Sequence, residues 1–94
     1  MLLQDKVVIV SGIGPGLGQE LSTLAAREGA AAVVLAARTA AKLDVAEAEI
    51  LALGGATKVL KVVTDISVRD QCIALADKTV AEFGRIDVLF NSAY

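Results

Sequence analysis

The chain is 94 residues long, 55% hydrophobic but only 3% aromatic, with a formal charge of −2, no histidine and one cysteine. That length makes one domain, and a domain of this size buries about 60–65% of the surface its unfolded chain exposes, so its margin of stability is narrow. Cys/His zinc sites, Ser-His-Asp triads, Cys-His pairs and internal disulfides are all excluded, and the scattered Lys and Arg leave no basic footprint for nucleic acid or an anionic membrane.

A core of Val, Ile, Leu and Ala suits a parallel sheet covered by helices on both faces. The longest apolar run, Gly29 to Ala37, is too short to span a bilayer, and Asp5 and Lys6 interrupt the N-terminus before a signal-peptide core could form. The expected location is the cytosol. Cys72 lies in a helical stretch and reads as a small apolar packing residue.

In chain order, β-branched runs alternate with segments of helical period. The first strand, β1, is expected near 6–11. Helix α1 follows near 16–28, with Leu17, Leu21, Leu24 and Ala25 on one face and Gly29 where a left-handed cap is wanted. Strand β2 is expected near 32–37, and α2 near 40–53 with a stripe of Leu43, Ala46, Ile50 and Leu53 before Gly54-Gly55. Strand β3 lies near 58–64. Helix α3, near 68–83, has Ile73, Ala76, Val80 and Phe83 as its stripe, Ser67 as candidate N-cap and Gly84 as its stop. Strand β4 near 86–91 closes the list, with Arg85 and Asp87 read as an exposed turn at its entry.

β–α–β crossovers of this length are right-handed, which makes the sheet parallel with strand order 3-2-1-4. This is the first half of a Rossmann-like, doubly wound α/β fold. The order reverses between β1 and β4, and ligands of open α/β sheets bind at that reversal, outside the carboxyl ends of the strands. There the Ser11–Gly18 turn and Asn91-Ser92-Ala93 would face each other.

The turn itself, Ser11-Gly12-Ile13-Gly14-Pro15-Gly16-Leu17-Gly18, carries the chemistry. A buried strand that ends in a glycine-rich turn and opens a helix aims unpartnered N–H groups at one spot, which suits phosphate. Gly12 lets the chain turn off the strand, Gly16 lets a pyrophosphate lie against bare backbone, and Gly18 lets the helix pack close to the sheet. G-x-G-x-x-G counted from Gly12 fails at Leu17, and a P-loop fails because no Lys-Ser or Lys-Thr closes the turn. An ordinary flexible β–α loop is the competing reading.

The spacing resembles the Thr-Gly-x-x-x-Gly-x-Gly turn of the short-chain dehydrogenase/reductases, with Ser11 in the threonine position. Three further stretches agree in order and interval: Ala32-Val33-Val34-Leu35-Ala36-Ala37-Arg38, then Val62-Val63-Thr64-Asp65-Ile66-Ser67, then Phe83 to Ala93, which is similar to the family's fourth strand and its Asn-Asn-Ala-Gly motif. The resemblance covers essentially the whole chain and implies an oxidoreductase that moves hydride between nicotinamide and an alcohol or carbonyl carbon.

The resemblance implies a cofactor site of Ser11, Gly12, Gly14, Pro15, Gly16, Leu17, Gly18, Ala37, Arg38, Asp65, Ile66, Asn91, Ser92 and Ala93. Alanine at position 37 replaces the carboxylate that NAD-preferring members use on the ribose, and Arg38 could pair a 2′-phosphate through its planar fork. NADP is therefore the expected cofactor, with NAD as the alternative and a solvated loop arginine as the other reading of Arg38. Pro15 stands where NADP-preferring members often have a second basic residue. Asp65 would accept from the adenine amino group with the Ile66 backbone reading the next ring position, or would simply form a turn ahead of α3. Asn91 would tie β4 to its neighbour and line the pocket.

Ser92 and Tyr94 depart from the family motif, and Tyr94 is not the catalytic tyrosine, which belongs to Tyr-x-x-x-Lys. The family's catalytic serine, tyrosine, lysine and further asparagine come after the motif at which this sequence stops, so no catalytic residue and no metal ligand is assigned. The expectation is the dinucleotide-binding half of a short-chain oxidoreductase, with an alcohol or ketone substrate and homo-oligomeric assembly in the complete enzyme. The alternatives are a shortened, non-catalytic nucleotide-binding or hetero-oligomerising protein and a packing fragment that binds nothing.

Overall fold

The computed structural model describes residues 3–12 and 17–91, and of Leu17 the backbone alone. The observed elements are β1 (Val7–Ser11), α1 (Leu17–Arg27), β2 (Ala32–Ala37), α2 (Ala40–Ala52), β3 (Lys58–Val63), α3 (Arg69–Phe83) and β4 (Val88–Asn91). All pairings are parallel in the order β3-β2-β1-β4. The expected topology is therefore observed, with each element within two residues of its anticipated bounds.

β1 and β2 are buried along their whole length, as continuous apolar runs in a covered parallel sheet must be. Their side chains divide between two cores. Val8, Val10, Val33 and Leu35 meet Ala25 of α1 and Leu43, Ala46 and Ile50 of α2 on one face. Ile9, Val34, Ala36 and Val62 meet Leu75 of α3 on the other, with Phe83 partly buried beside them. Among the described residues no helix is long and apolar enough to cross a membrane.

Helix faces are where the periodicity misled. In α3 the buried residues are Leu75 and Thr79, whereas Ile73 and Val80 are 46% and 47% exposed. Thr79 can sit in the core because its hydroxyl donates to the Leu75 carbonyl at 2.8 Å, so a polar residue occupies a place the apolar pattern assigned to valine. In α1 the buried residues include Ser22 and Ala25, and Leu24 is 51% exposed. Ser22 satisfies its hydroxyl on the Gln19 carbonyl at 2.7 Å, which leaves a small side chain against the sheet where leucine would hold the helix away. Leu43, Ala46 and Ile50 of α2 are buried as expected, but Leu53, past the last turn, is exposed.

Gly84 ends α3 in the left-handed region at φ 82°, its N–H donating to the Val80 carbonyl at 2.7 Å, and Gly29 has φ 83° after α1. Ser67 is not the N-cap of α3. Val68 holds that position without a side-chain bond, because Ser67 is engaged with Asp65 instead.

The entry to β4 is more than an exposed turn. Asp87 Oδ2 accepts the Val7 N–H at 2.8 Å and Arg85 Nε at 2.8 Å, and Arg85 Nη2 reaches the Asp5 carbonyl at 2.7 Å. The Asp87 N–H in turn donates to the Val7 carbonyl at 2.9 Å. These bonds join the starts of β1 and β4, supplying the first N–H of β1 with an acceptor that the strand ladder does not provide.

Candidate functional site

The parallel registers bring the carboxyl ends of all four strands to one edge. Ser11 pairs with Ala36 on one side and Asn91 on the other, and Ala37 pairs with Val63. Each residue that leaves a strand there is therefore a neighbour of the next strand's exit, however far away it is in sequence.

At the reversal of strand order, Ser11 Oγ donates to Asn91 Oδ1 at 3.1 Å, and Ser11 is buried. The bond ties β4 to β1, the structural part of what was expected of Asn91. Gly12 follows with φ 87°, and its N–H donates to the Ala36 carbonyl at 2.9 Å. The backbone thus completes its ladder and leaves the strand in a conformation that side chains other than glycine resist. Gly18 is buried at the start of α1. Gly14, Pro15, Gly16, Ser92 and Ala93 lie outside the described residues, as does the side chain of Leu17.

At the next two exits, Ala37 is buried and Arg38 exposed, while the Thr64 N–H donates to the Ala37 carbonyl at 2.8 Å. That bond places Arg38 beside Asp65. Asp65 Oδ1 accepts both the Ser67 hydroxyl at 2.6 Å and the Ser67 N–H at 2.9 Å, an Asx turn closed twice. These two Ser67 bonds hold the Asp65 carboxyl below its usual range against some desolvation, and the positive charge of Arg38 adds to them. The group is a carboxylate at neutral pH.

Two residues that the sequence reading did not assign to the site hold this turn from the first part of α3. The Gln71 amide oxygen accepts the Asp65 N–H at 2.7 Å, and the Cys72 thiol donates to the Ile66 carbonyl at 3.3 Å. A glutamine three residues into a helix is a familiar partner for backbone N–H groups ahead of that helix, which was the available signal. Beneath the strand ends, on the α3 face, lies a mainly apolar hollow of about 290 Å³ lined by Ile9, Ser11, Ile66, Cys72, Leu75, Ala76, Ile86, Leu89 and Asn91.

A family model described as short chain dehydrogenase matches residues 6–93. The chain belongs to the short-chain dehydrogenase/reductase family. Among relatives of this family member, an uncharacterized oxidoreductase of Methylorubrum extorquens is 37% identical over 97% of this chain and 36% of its own length. An 11-beta-hydroxysteroid dehydrogenase 1A of Arabidopsis thaliana is 37% identical over 97% of this chain and 26% of its own length. Among solved structures, a metagenomic short-chain oxidoreductase in complex with NADP superposes with a TM-score of 0.84 at 37% identity, over 93% of this chain and 38% of that one. The chain thus spans between 26% and 38% of the length of these three proteins.

Proposed function

We propose that residues 1–94 are the dinucleotide-binding part of an NADP-preferring short-chain oxidoreductase. When bound, the cofactor supplies a hydride donor or acceptor at its nicotinamide for an alcohol or carbonyl substrate. The observation that carries this reading is the line of exits at one sheet edge: the Ser11–Asn91 bond at the strand-order reversal, then Arg38, then ionised Asp65.

The turn from Ser11 to Gly18, with Gly14, Pro15, Gly16 and Leu17 inside it, binds the pyrophosphate by backbone N–H groups. Asn91, Ser92 and Ala93 bound the crevice on the β4 side. Ala37 leaves room beside the adenosine ribose, and Arg38 pairs a 2′-phosphate. Asp65 and Ile66 read adenine. Among the described residues, nothing donates to Asp65 Oδ2 and nothing accepts the Ile66 N–H, an acceptor beside a donor. The adenine amino group and its neighbouring ring nitrogen complement that pair.

Binding of 2′-phospho-ADP-ribose and ADP-ribose to the wild type and to Ala37→Asp tests the cofactor choice. The wild type should favour the phosphorylated ligand. The new carboxylate should reverse that preference by repelling the phosphate and accepting from the ribose hydroxyls. A wild type that already favours ADP-ribose would reduce Arg38 to a loop residue. Gly16→Val should abolish both ligands' binding, and equal binding by that variant would remove the turn from the site. We place the protein in the cytosol, with an alcohol or ketone as substrate and homo-oligomeric assembly in the complete enzyme, and expect the 94-residue polypeptide taken alone to self-associate through β4.

A further inference from the structure

We infer that Gln71 is a positioning residue for base selectivity: its side-chain amide holds the Asp65–Ile66 backbone in the one orientation that distinguishes adenine from hypoxanthine. The inference rests on the reading of Asp65 and Ile66 as the base-contacting pair. Gln71 itself touches no ligand.

The segment is held at four points. Gln71 Oε1 accepts the Asp65 N–H at 2.7 Å, Ser67 donates both its N–H and its hydroxyl to Asp65 Oδ1, the Val68 N–H donates to the Asp65 carbonyl at 3.0 Å, and the Cys72 thiol donates to the Ile66 carbonyl at 3.3 Å. Every hydrogen-bonding group of Asp65 and Ile66 that faces α3 or Ser67 is thereby used. Asp65 Oδ2 and the Ile66 N–H take no partner among the described residues. Those two groups form an acceptor followed by a donor, on a turn that otherwise projects from an exposed strand end.

Adenine offers a donor at its amino group and an acceptor at the adjacent ring nitrogen, so both contacts are satisfied. Hypoxanthine offers an acceptor and then a donor, so both contacts become repulsive. A paired contact of this sort is worth a fivefold to 150-fold preference, about 1–3 kcal/mol. Such a preference survives only while the two groups keep their relative orientation. The Gln71 bond is the one that fixes the peptide plane before Asp65; without it the N-terminal side of the Asx turn is held, among the described residues, through Thr64 alone, by its N–H on the Ala37 carbonyl and its hydroxyl on the Val62 carbonyl.

The test compares ADP-ribose with its hypoxanthine counterpart, inosine diphosphate ribose, by calorimetry on the full chain. Four proteins are used: wild type, Asp65→Ala, Gln71→Met and Gln71→Glu. Methionine keeps the length and removes the acceptor, whereas glutamate keeps an acceptor oxygen. The wild type should prefer the adenine ligand by about tenfold, and Asp65→Ala should lose that preference. Gln71→Met should bring it below about threefold while leaving the affinity for the hypoxanthine ligand nearly unchanged, a split that general loosening of the fold would not produce.

Hydrogen exchange reads the same bond without any ligand. The Asp65 amide should be protected in the wild type and in Gln71→Glu, and exposed in Gln71→Met. A Gln71→Met protein that keeps both its adenine preference and its Asp65 amide protection overturns the inference and leaves the base-contact reading intact. An Asp65→Ala protein that keeps the preference overturns both. Loss of amide protection in Gln71→Met without loss of preference also overturns the inference, because the bond would then exist without a role in selectivity.

Discussion

On the face covered by α1 and α2, Val8, Val10, Val33 and Leu35 are closed off by Ala25, Leu43, Ala46 and Ile50, whereas among the described residues the face under α3 has a smaller buried apolar set, Ile9, Val34, Ala36, Val62 and Leu75, with the polar Thr79 beside it. The edges differ in the same direction. At the β3 edge, Lys61 Nζ pairs with Asp44 at 2.9 Å and Glu47 at 3.0 Å, and Lys58 is exposed beside it. At the β4 edge, Leu89 is 59% exposed, and with Ile66 and Ile86 it lines the hollow under α3. Charge at an open edge discourages pairing with another chain, and apolar residues invite it. One flank of this domain has the chemistry of an outer surface and the other the chemistry of an interface.

Truncation of core leucines should expose the contrast most strongly. Leu35 is fully buried beneath two helices, so Leu35→Ala should cost about 3–4 kcal/mol in denaturant unfolding. Leu75 borders the hollow, where neighbouring side chains can relax into existing space, and Leu75→Ala should cost about 2 kcal/mol. Equal losses would show that α3 is packed as tightly as its counterparts.

The Asp87 clamp should make the β4 flank sensitive to acid. Its carboxyl is held below the usual range, first by the Val7 N–H and then by the bond and charge of Arg85 and by Lys6, against some desolvation. A depressed native value means that the carboxylate contributes stability above the ordinary carboxylate range, about pH 4, and loses it as pH falls through the native value. Asp87→Asn should therefore lower the melting temperature at pH 7 and flatten the decline below pH 4. Asp65, depressed by Ser67, sustains the remaining slope. An unchanged acid profile would mean that Asp87 merely decorates the strand entry.

What the sequence made legible was local or topological. Strand runs, glycine stops and the handedness rule were enough for the order 3-2-1-4, because each depends on neighbours in the chain or on a universal chirality. Side-chain partnerships across the sheet were not legible. Asp87 meets Val7 only because parallel pairing brings residues 80 apart together, and Gln71 meets Asp65 only once the β3–α3 turn has formed. Thr79 and Ser22 entered the cores by satisfying their hydroxyls on their own helices, which a count of apolar residues cannot register. The strand exits at Ser11, Arg38, Asp65 and Asn91 were expected from the spacing of the glycine turn and from the family resemblance, whereas the residues that hold them were found only from geometry.

A charge placed on the apolar edge should change association more than stability. Leu89→Lys gives β4 the kind of guard that β3 already carries, at a position already open to solvent. Sedimentation of the 94-residue polypeptide should show self-association that falls in this variant, with little change in its melting temperature. A wild type that sediments as a monomer with fully protected β4 amides would mean that the edge is covered by another route.

The smallest effect should come from the guarded edge at neutral pH. Lys61 is held above its usual value by hydrogen bonds to Asp44 and then Glu47, with their charges adding and desolvation opposing. A raised native value means that the pair contributes below the ordinary lysine value, about pH 10.4, and that this is lost as pH rises through the native value. Exposed ion pairs contribute little, so Lys61→Met should leave the pH 7 melting temperature almost unchanged and remove only the alkaline part of the stability profile. Its visible consequence should again be association, because methionine on an edge strand removes a charge and adds apolar surface. If Lys61→Met instead destabilises the fold as much as Asp87→Asn without promoting association, the β3 edge is held by its ion pairs rather than guarded by them, and the contrast between the two flanks fails at that edge.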